Sequence, residues 1–438
     1  MNRSINAVLL GTFTLRFSTG LTGAMLLYYL AQLPEFGGPR VSGSVAGVMT
    51  ATYFAAELVL SPAFGVLSDR FGAHRLMQVG PIFGAVAVAV TALTTDLWLL
   101  GGTRWLEGMA AAASIPSILG YIAIVTSGNE ALRGTSVARF EAATIAGLGM
   151  GAVVAGPLFE GLGRGAFIVN AAIYLGSLAI YRYGVQAVPS DAASLEAAEE
   201  RPLSSGEVRP QSFDLARYRR LLATSNVWLL APTWIALNAV IGAWTTQSVF
   251  QLVRENPDPR FAGQLLLGGF EPTQVSIGLG VALVVFFAGI FFWGNLFRRY
   301  RRTTIIGVGI GGGLVMVAAI FGINHSADVS FLVRIGLVVV ALAGLFVLAG
   351  ATPAALGMLA DISETHPSDR GAIMGLYSVF LGLGQIVGSV SSGAAADWLA
   401  VDGLLVASVL LLLIALVPLR WLRGSEHLVG VRAAAVPG

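Results

Sequence analysis

The chain has 438 residues, 55% of them hydrophobic and only 11% charged, with a net charge of +2 and a mean hydropathy of +0.77. A soluble domain carries roughly a quarter charged residues, so this composition excludes one and places the chain in a membrane. The absence of cysteine excludes disulfides, thiolate metal sites and cysteine nucleophiles.

A bilayer core takes about 20 apolar residues per helix. Apolar stretches are read at 7–33, 42–66, 76–95, 97–126, 137–159 and 165–186, and again at 226–252, 274–297, 303–323, 329–358, 371–395 and 401–422. No cleavage site follows the N-terminus, so the first stretch is read as a retained helix. It carries one polar and small face, Thr12, Arg16, Thr19 and Gly23 at helical spacing. Counted at about 1.5 Å per residue, Arg16 lies about 14 Å into span 1, Arg104 and Glu107 about 10 and 15 Å into span 4, and Glu57 about 12 Å from the end of span 2. Charges at that depth are costly, by roughly 2.5 to 3.5 kcal/mol on insertion scales, unless they face protein or water. Arg104 and Glu107 are three apart and can pair on one helix face. Arg139 and Glu141 in span 5, and Arg334 in span 10, lie close enough to a membrane face for their long side chains to snorkel.

The stretch 187–225 holds Asp191, Glu196, Glu199, Glu200, Pro202 and Pro210 with few aromatics, and reads as a linker between two bundles, 1–186 and 226–438. Within it Leu215, Tyr218, Leu221 and Leu222 share a face opposite Arg217, Arg219 and Arg220, which fits either a short helix on the membrane surface or the start of span 7. The second bundle has no deep charge. It offers Asn238, Thr245 and Gln247 in span 7 and Tyr377 and Gln385 in span 11, with Trp234 and Phe380 nearby, either as solute contacts or as interhelical hydrogen-bonding groups. Gly307-Val-Gly309-Ile-Gly311-Gly312 sits inside an apolar span with no strand before it, and is a helix-packing surface rather than a nucleotide site. The four His are scattered without ligand spacing.

All 26 basic residues are Arg. Placing both termini in the cytoplasm puts 18 of them on that side and four, Arg40, Arg164, Arg254 and Arg260, outside. Positive charge stays inside, so both termini are cytoplasmic. The halves are weak repeats: Arg133-Gly134 matches Arg370-Gly371, and Pro116 matches Pro353. Duplicated six-helix halves are a common build of secondary transporters.

Gly65-Val-Leu-Ser-Asp69-Arg70-Phe-Gly72-Ala-His74-Arg75 resembles the signature loop of the major facilitator superfamily. The resemblance implies an inner gate of Gly65, Asp69, Arg70, Gly72 and Arg75. In it Gly65 admits a close helix approach, Gly72 a tight turn, and Asp69 faces the start of span 11, Pro367 to Arg370. Arg104 to Gly108 resembles the family's span-4 motif, with Glu107 where glutamine is usual. Gly151 to Gly161 is similar to part of the glycine-proline motif of proton-driven exporters, with Ala152 and Glu160 in place of glycines. The second half has Arg298 at the place of Asp69, so by the family's charge logic only one inner latch is intact. The family fold is an all-α polytopic membrane protein of twelve transmembrane helices in two six-helix bundles. It implies that spans 1, 4, 7 and 10 line the central cavity.

These features imply a secondary active transporter moving a small solute by alternating access, as a proton-coupled exporter of a small amphipathic compound. Arg16, Glu57, Arg104, Glu107, Asn238, Tyr377 and Gln385 are the expected substrate or proton pathway. Glu57 or Glu107 carries the proton according to whether an Arg lies near it in each conformation. A structural ion-pair lock of spans 1, 2 and 4 is the competing role for the deep charges. Import or symport of an anionic metabolite gripped by Arg16 and Arg104, a lipid flippase, and a non-transporting assembly factor are the competing functions. The chain is expected to be no enzyme, to use no cofactor, metal or nucleic acid, and to act as a monomer in the inner (plasma) membrane.

Overall fold

The structure, a computed structural model, describes residues 2–187, 227–255, 258–364 and 370–424. The linker with its surface helix, and positions 367–369 before span 11, lie outside the described residues.

Every regular element among the described residues is helical. The helices, numbered by the span with which each coincides, are α1 (Asn2–Ala31), α2 (Gly43–Phe71), α3 (Val79–Leu93, after a short turn Ala73–Leu76), α4 (Leu97–Val125), α5 (Glu130–Leu162) and α6 (Gly165–Ala179). They continue as α7 (Val227–Ala243), α8 (Pro272–Gly294), α9 (Arg302–Asn324), α10 (Phe331–Leu348, continued by Ala351–Glu364), α11 (Arg370–Leu399) and α12 (Val401–Gly424). A π-helical turn extends α6 through Ile180–Gly184 and another extends α7 through Trp244–Ser248. Several starts are set by local chemistry. Asp96 and Asn129 accept from the backbone N–H of Leu99 and Leu132, and Glu271 forms a capping box with Gln274. Among the described residues, eleven helices are long and apolar enough to cross a membrane; α1 is not one of them, because Thr12, Thr14, Arg16, Ser18, Thr19 and Thr22 dilute it.

The expected spans fall on these helices; α2, α5, α10 and α11 run longer than expected, whereas α3 and α6 are shorter. The arginine-bearing approach to span 5, expected to begin near 137, is helical from Glu130, and span 11 runs past 395 to Leu399. Large apolar side chains such as Val284, Phe331 and Leu332 lie on the outside, as in a protein solvated by lipid. Trp98, Trp398, Trp421 and Tyr183 are exposed near helix ends, where amphipathic rings meet the membrane–water interface.

Two compact units form, one of Met1–Leu26 with Thr52–Leu215 and one of Leu27–Ala51 with Ala216–Gly438. In the first, α1 crosses α5 with backbones in contact. A Cβ on Gly20 would strike the Leu148 carbonyl, one on Gly147 the Phe13 carbonyl at 2.6 Å, and one on Gly151 the Phe17 carbonyl. In the second, α7 crosses α11 in the same manner. Gly242 faces the Gln385 carbonyl at 2.9 Å, Gly384 the Ile235 carbonyl at 2.7 Å, and Gly388 the Ala239 carbonyl. Each contact of the second set stands at a constant sequence offset from its counterpart, so the two halves repeat one small-residue seam. At that offset Asn238 occupies the position of Arg16.

Polar bonds tie together one end of the second unit. Asn324 Nδ2 donates to Asp402 at 2.9 Å and Gln264 Nε2 donates to it at 3.2 Å, while His325 Nε2 lies 3.0 Å away. Gln264 also accepts from the N–H of Val401 at 2.9 Å, across a turn in which Ala400 takes φ 53°. Asn324 is fully buried, so removing its acceptor strands a polar group. Asp402→Ala is expected to cost about 1–3 kcal/mol, read as a lower midpoint of thermal unfolding in detergent. An unchanged midpoint would show that the cluster is not what holds this end.

Candidate functional site

The deep charges of the first half meet in one buried cluster. Arg16 on α1 and Arg104 and Glu107 on α4 are each less than 10% exposed, as is Tyr53 on α2. Arg104 and Glu107 form an ion pair one helical turn apart. The Arg104 guanidinium also stacks over the Tyr53 ring, 4.9 Å from its centroid, a cation–π contact worth more when desolvated. Arg16 Nη1 donates to Tyr53 Oη at 3.5 Å, and Tyr53 is hydrogen-bonded to Glu57 one turn further along α2. Glu57 and Glu141 are the acids whose charge reaches Arg16.

On the other side of Glu107, Tyr174 Oη on α6 donates to its carboxylate at 3.4 Å and lies 3.4 Å from Thr19 Oγ1 on α1. Thr22 adds a hydroxyl contact to the same carboxylate, and Asn170 Nδ2 donates to Thr22 Oγ1 at 2.7 Å. One network therefore links α1, α2, α4 and α6, with two arginines and two acids bridged by two phenols. A buried charge is tolerated when it is paired and hydrogen-bonded, and such a network rearranges as a unit because each member holds the next. Arg104 Nε, buried, has no hydrogen-bond partner among the described residues.

The structure brings Arg16, Glu57, Arg104 and Glu107 together within the first unit, while Asn238, Tyr377 and Gln385 belong to the second. Asn238 and Gln385 are buried in the α7–α11 seam, and Asn238 Nδ2 donates to the Trp234 carbonyl of its own helix at 2.9 Å. The side chain of Tyr377 lies outside the described residues. Arg334 reaches the carbonyls of Ser326 and Ala327 at 3.0 and 2.8 Å, at the start of α10. Tyr53, Tyr174, Asn170 and Thr22 were not singled out from the sequence. Tyr53 could have been found, since it stands four residues before Glu57 and on the same face of α2.

In the expected gate, Gly72 adopts φ 89°, the left-handed turn that a side chain disfavours, and Asp69, Arg70 and Arg75 are exposed beside it. Gly65 makes no close helix approach among the described residues: a Cβ there would meet none of them within 4 Å. The partner expected for Asp69, at the start of span 11, lies outside the described residues. The second half has an ion pair of its own between Arg302 at the start of α9 and Asp361 in the continuation of α10, so a cationic loop without the signature aspartate still finds an acid.

The model of the Major Facilitator Superfamily matches residues 8–270 and 264–435. Multidrug resistance protein 2 of Bacillus subtilis (strain 168) is 23% identical over 363 residues, 82% of this chain and 81% of that protein. Quinolone resistance protein NorA of Staphylococcus aureus (strain MSSA476) is 22% identical over 410 residues, 91% of each chain. Among solved structures, a bacterial homolog of the human lysosomal transporter Spinster superposes with a TM-score of 0.73 at 13% identity, covering 99% of this chain and 100% of that one. The nucleoside transporter NupG does so with a TM-score of 0.70 at 14% identity, covering 97% and 99%. At these identities the two structures speak for the fold alone.

Proposed function

Since the chain belongs to the Major Facilitator Superfamily, and is therefore a polytopic membrane transporter and not an enzyme, we propose that it exports a small amphipathic compound in exchange for protons. The observation that carries this reading is the buried Arg104–Glu107 pair, joined to Tyr53 and Tyr174. A carboxylate held by one arginine keeps its charge while the pair is intact and takes a proton when a conformational change separates the two. The resistance proteins among its relatives support efflux and an amphipathic cargo. Commitment of Arg104 to Glu107 disfavours the anion importer, because an incoming carboxylate would have to displace a covalently tethered one.

In the same reading α1 is the twelfth span. Its length of about 45 Å suffices, and its polar residues Thr12, Arg16, Ser18 and Thr22 are buried among protein rather than presented to lipid. Two six-helix bundles, 1–186 and 226–438, joined by the linker 187–225, then work as a monomer in the plasma membrane with both termini cytoplasmic.

The test is transport in proteoliposomes with and without an imposed pH gradient. The probe is a lipophilic cation chosen from a thermal-shift screen of cationic amphiphiles against organic acids. Cation movement that collapses when a protonophore dissipates the gradient is the expected result. An organic acid that stabilises the protein and crosses without a gradient would overturn it.

A further inference from the structure

The first backbone N–H groups of a helix have no partner within the helix, and α2 finds its partner on another helix. Asp397, near the end of α11, accepts from the N–H of Gly43 through Oδ1 at 2.5 Å and from that of Ser44 through Oδ2 at 3.1 Å. The Gly43 carbonyl accepts from Gln247 Nε2, in the π-helical turn of α7, at 2.9 Å, and Gln251 Nε2 donates to Gln247 Oε1 at 3.0 Å. Backbones touch below these bonds: a Cβ on Gly393 would lie 2.5 Å from the Gly43 carbonyl, and one on Gly47 would strike the Ser389 carbonyl. All of these residues belong to the second unit, whose boundary runs through the continuous helices α1 and α2. The hairpin 27–51 is thus bolted to α7 and α11 while the remainder of both helices belongs to the first unit.

A second group, the Arg254 guanidinium, feels the charge of the same carboxylate. A last helical turn, Val249–Val253, continues α7, and Arg254 follows it just beyond the membrane-spanning stretch. Its buried Nε has no hydrogen-bond partner among the described residues, and Asp397 is the acid whose charge reaches it. Burial disfavours the Arg254 cation and Asp397 offsets that cost, so the arginine gains from any closer approach of the acid.

We propose that Asp397 is an outer latch with two seats, the N-terminus of α2 when the hairpin 27–51 is closed on α11 and the Arg254 guanidinium when it is open. The proposal rests on the transport reading, in which alternating access must part this hairpin from α11, and on the orientation that places this end outside. A carboxylate on two N–H groups at a helix start is the firmer seat, and the Arg254 cation lowers the cost of leaving it by taking up the released charge.

The chain has no cysteine, so Ser389→Cys supplies a single thiol in the α2–α11 seam. Its labelling by a membrane-impermeant maleimide, added outside intact cells, reads opening of the latch without solute or gradient. Asp397→Asn, which keeps size but removes the charge both seats need, is expected to raise the labelling rate by about tenfold. Arg254→Leu, which removes only the open seat, is expected to lower it. Opposite signs separate a two-seat latch from a merely structural contact, whose loss would raise labelling in both variants. Labelling unmoved by Asp397→Asn, or raised by both substitutions, overturns the proposal. Folding is checked by monodispersity in detergent, and Asp397→Glu, which keeps the charge, is expected to restore slow labelling if the side chain still reaches Gly43. A protein that labels as expected but moves no probe sinks the transport reading alone; one that transports with labelling indifferent to Asp397 sinks the latch alone.

Discussion

Arg104→Ala is expected to abolish gradient-driven transport and to destabilise the protein by about 3–5 kcal/mol, since it leaves Glu107 buried at 3% exposure without its cation. The same change removes the guanidinium from the Tyr53 ring, so the link between α4 and α2 weakens at the level of Arg16 and Glu57. Loss of stability alone would explain loss of transport, and a second variant separates the two. Replacing both partners, Arg104→Leu with Glu107→Leu, exchanges a desolvated ion pair for apolar packing, which is often neutral or stabilising. The double variant is expected to recover most of the lost stability, measured by thermal unfolding in detergent, and to remain without gradient-driven transport. Glu107→Gln is expected to retain the fold through its remaining hydrogen bonds and to lose the dependence on the pH gradient. If the double variant transports normally, the pair is a structural lock of the first bundle and proton exchange must reside elsewhere. Gradient-driven transport that survives both Glu57→Gln and Glu107→Gln would remove the proposed carriers altogether.

Gly108→Ala is expected to cost about 1–3 kcal/mol and to remove transport with it, although it adds a single methyl group. The residue follows Glu107 on α4 and faces α2 so closely that a Cβ would strike the Tyr53 carbonyl and lie 2.7 Å from the Ala56 Cβ. A backbone carbonyl cannot rotate away as a side chain does, so the two helices must separate. Separation at that level moves the Tyr53 ring off Arg104 and its hydroxyl away from Arg16. The control lies on the same helix. Gly102 has nothing within 4 Å of its Cβ position among the described residues, and Gly102→Ala should leave transport intact and stabilise α4 by about 0.5–1 kcal/mol. Equal behaviour of the two alanine variants would show that close approach of α4 and α2 is not what seats the cluster.

Much of the candidate site was legible in the sequence because an ionisable residue inside an apolar run is conspicuous wherever it points. Arg16, Glu57, Arg104 and Glu107 were found in that way, and the structure gathers them. Tyr53 and Tyr174 were not, since a tyrosine in an apolar span reads as bulk, and only the rotation of each helix about its axis decides whether its hydroxyl meets an acid. Asn238 and Gln385 show the converse. Their polarity suits either a solute contact or an interhelical bond, and only the fold shows that both are buried where α7 crosses α11.

By itself the sequence determined that the chain is a bundle of membrane helices in two related halves, and it located the helices to within a turn or two. Apolar runs, caps such as Asp96 and Asn129, and repeated pairs such as Pro116 and Pro353 act through neighbours in the chain or through simple repetition, so no distant contact is needed to read them. What only the tertiary structure decided is which residues hold which. Asp397 looks from the sequence like a loop acid beyond span 11. In the fold it lies within α11 and caps a helix whose start is more than 350 positions away, the separation between Gly43 and Asp397. The near-constant apolarity of these helices leaves their rotation unspecified by pattern, and it is fixed instead by glycine seams such as Gly147 and Gly151 of α5 against α1 or Gly384 and Gly388 of α11 against α7, where backbones can touch.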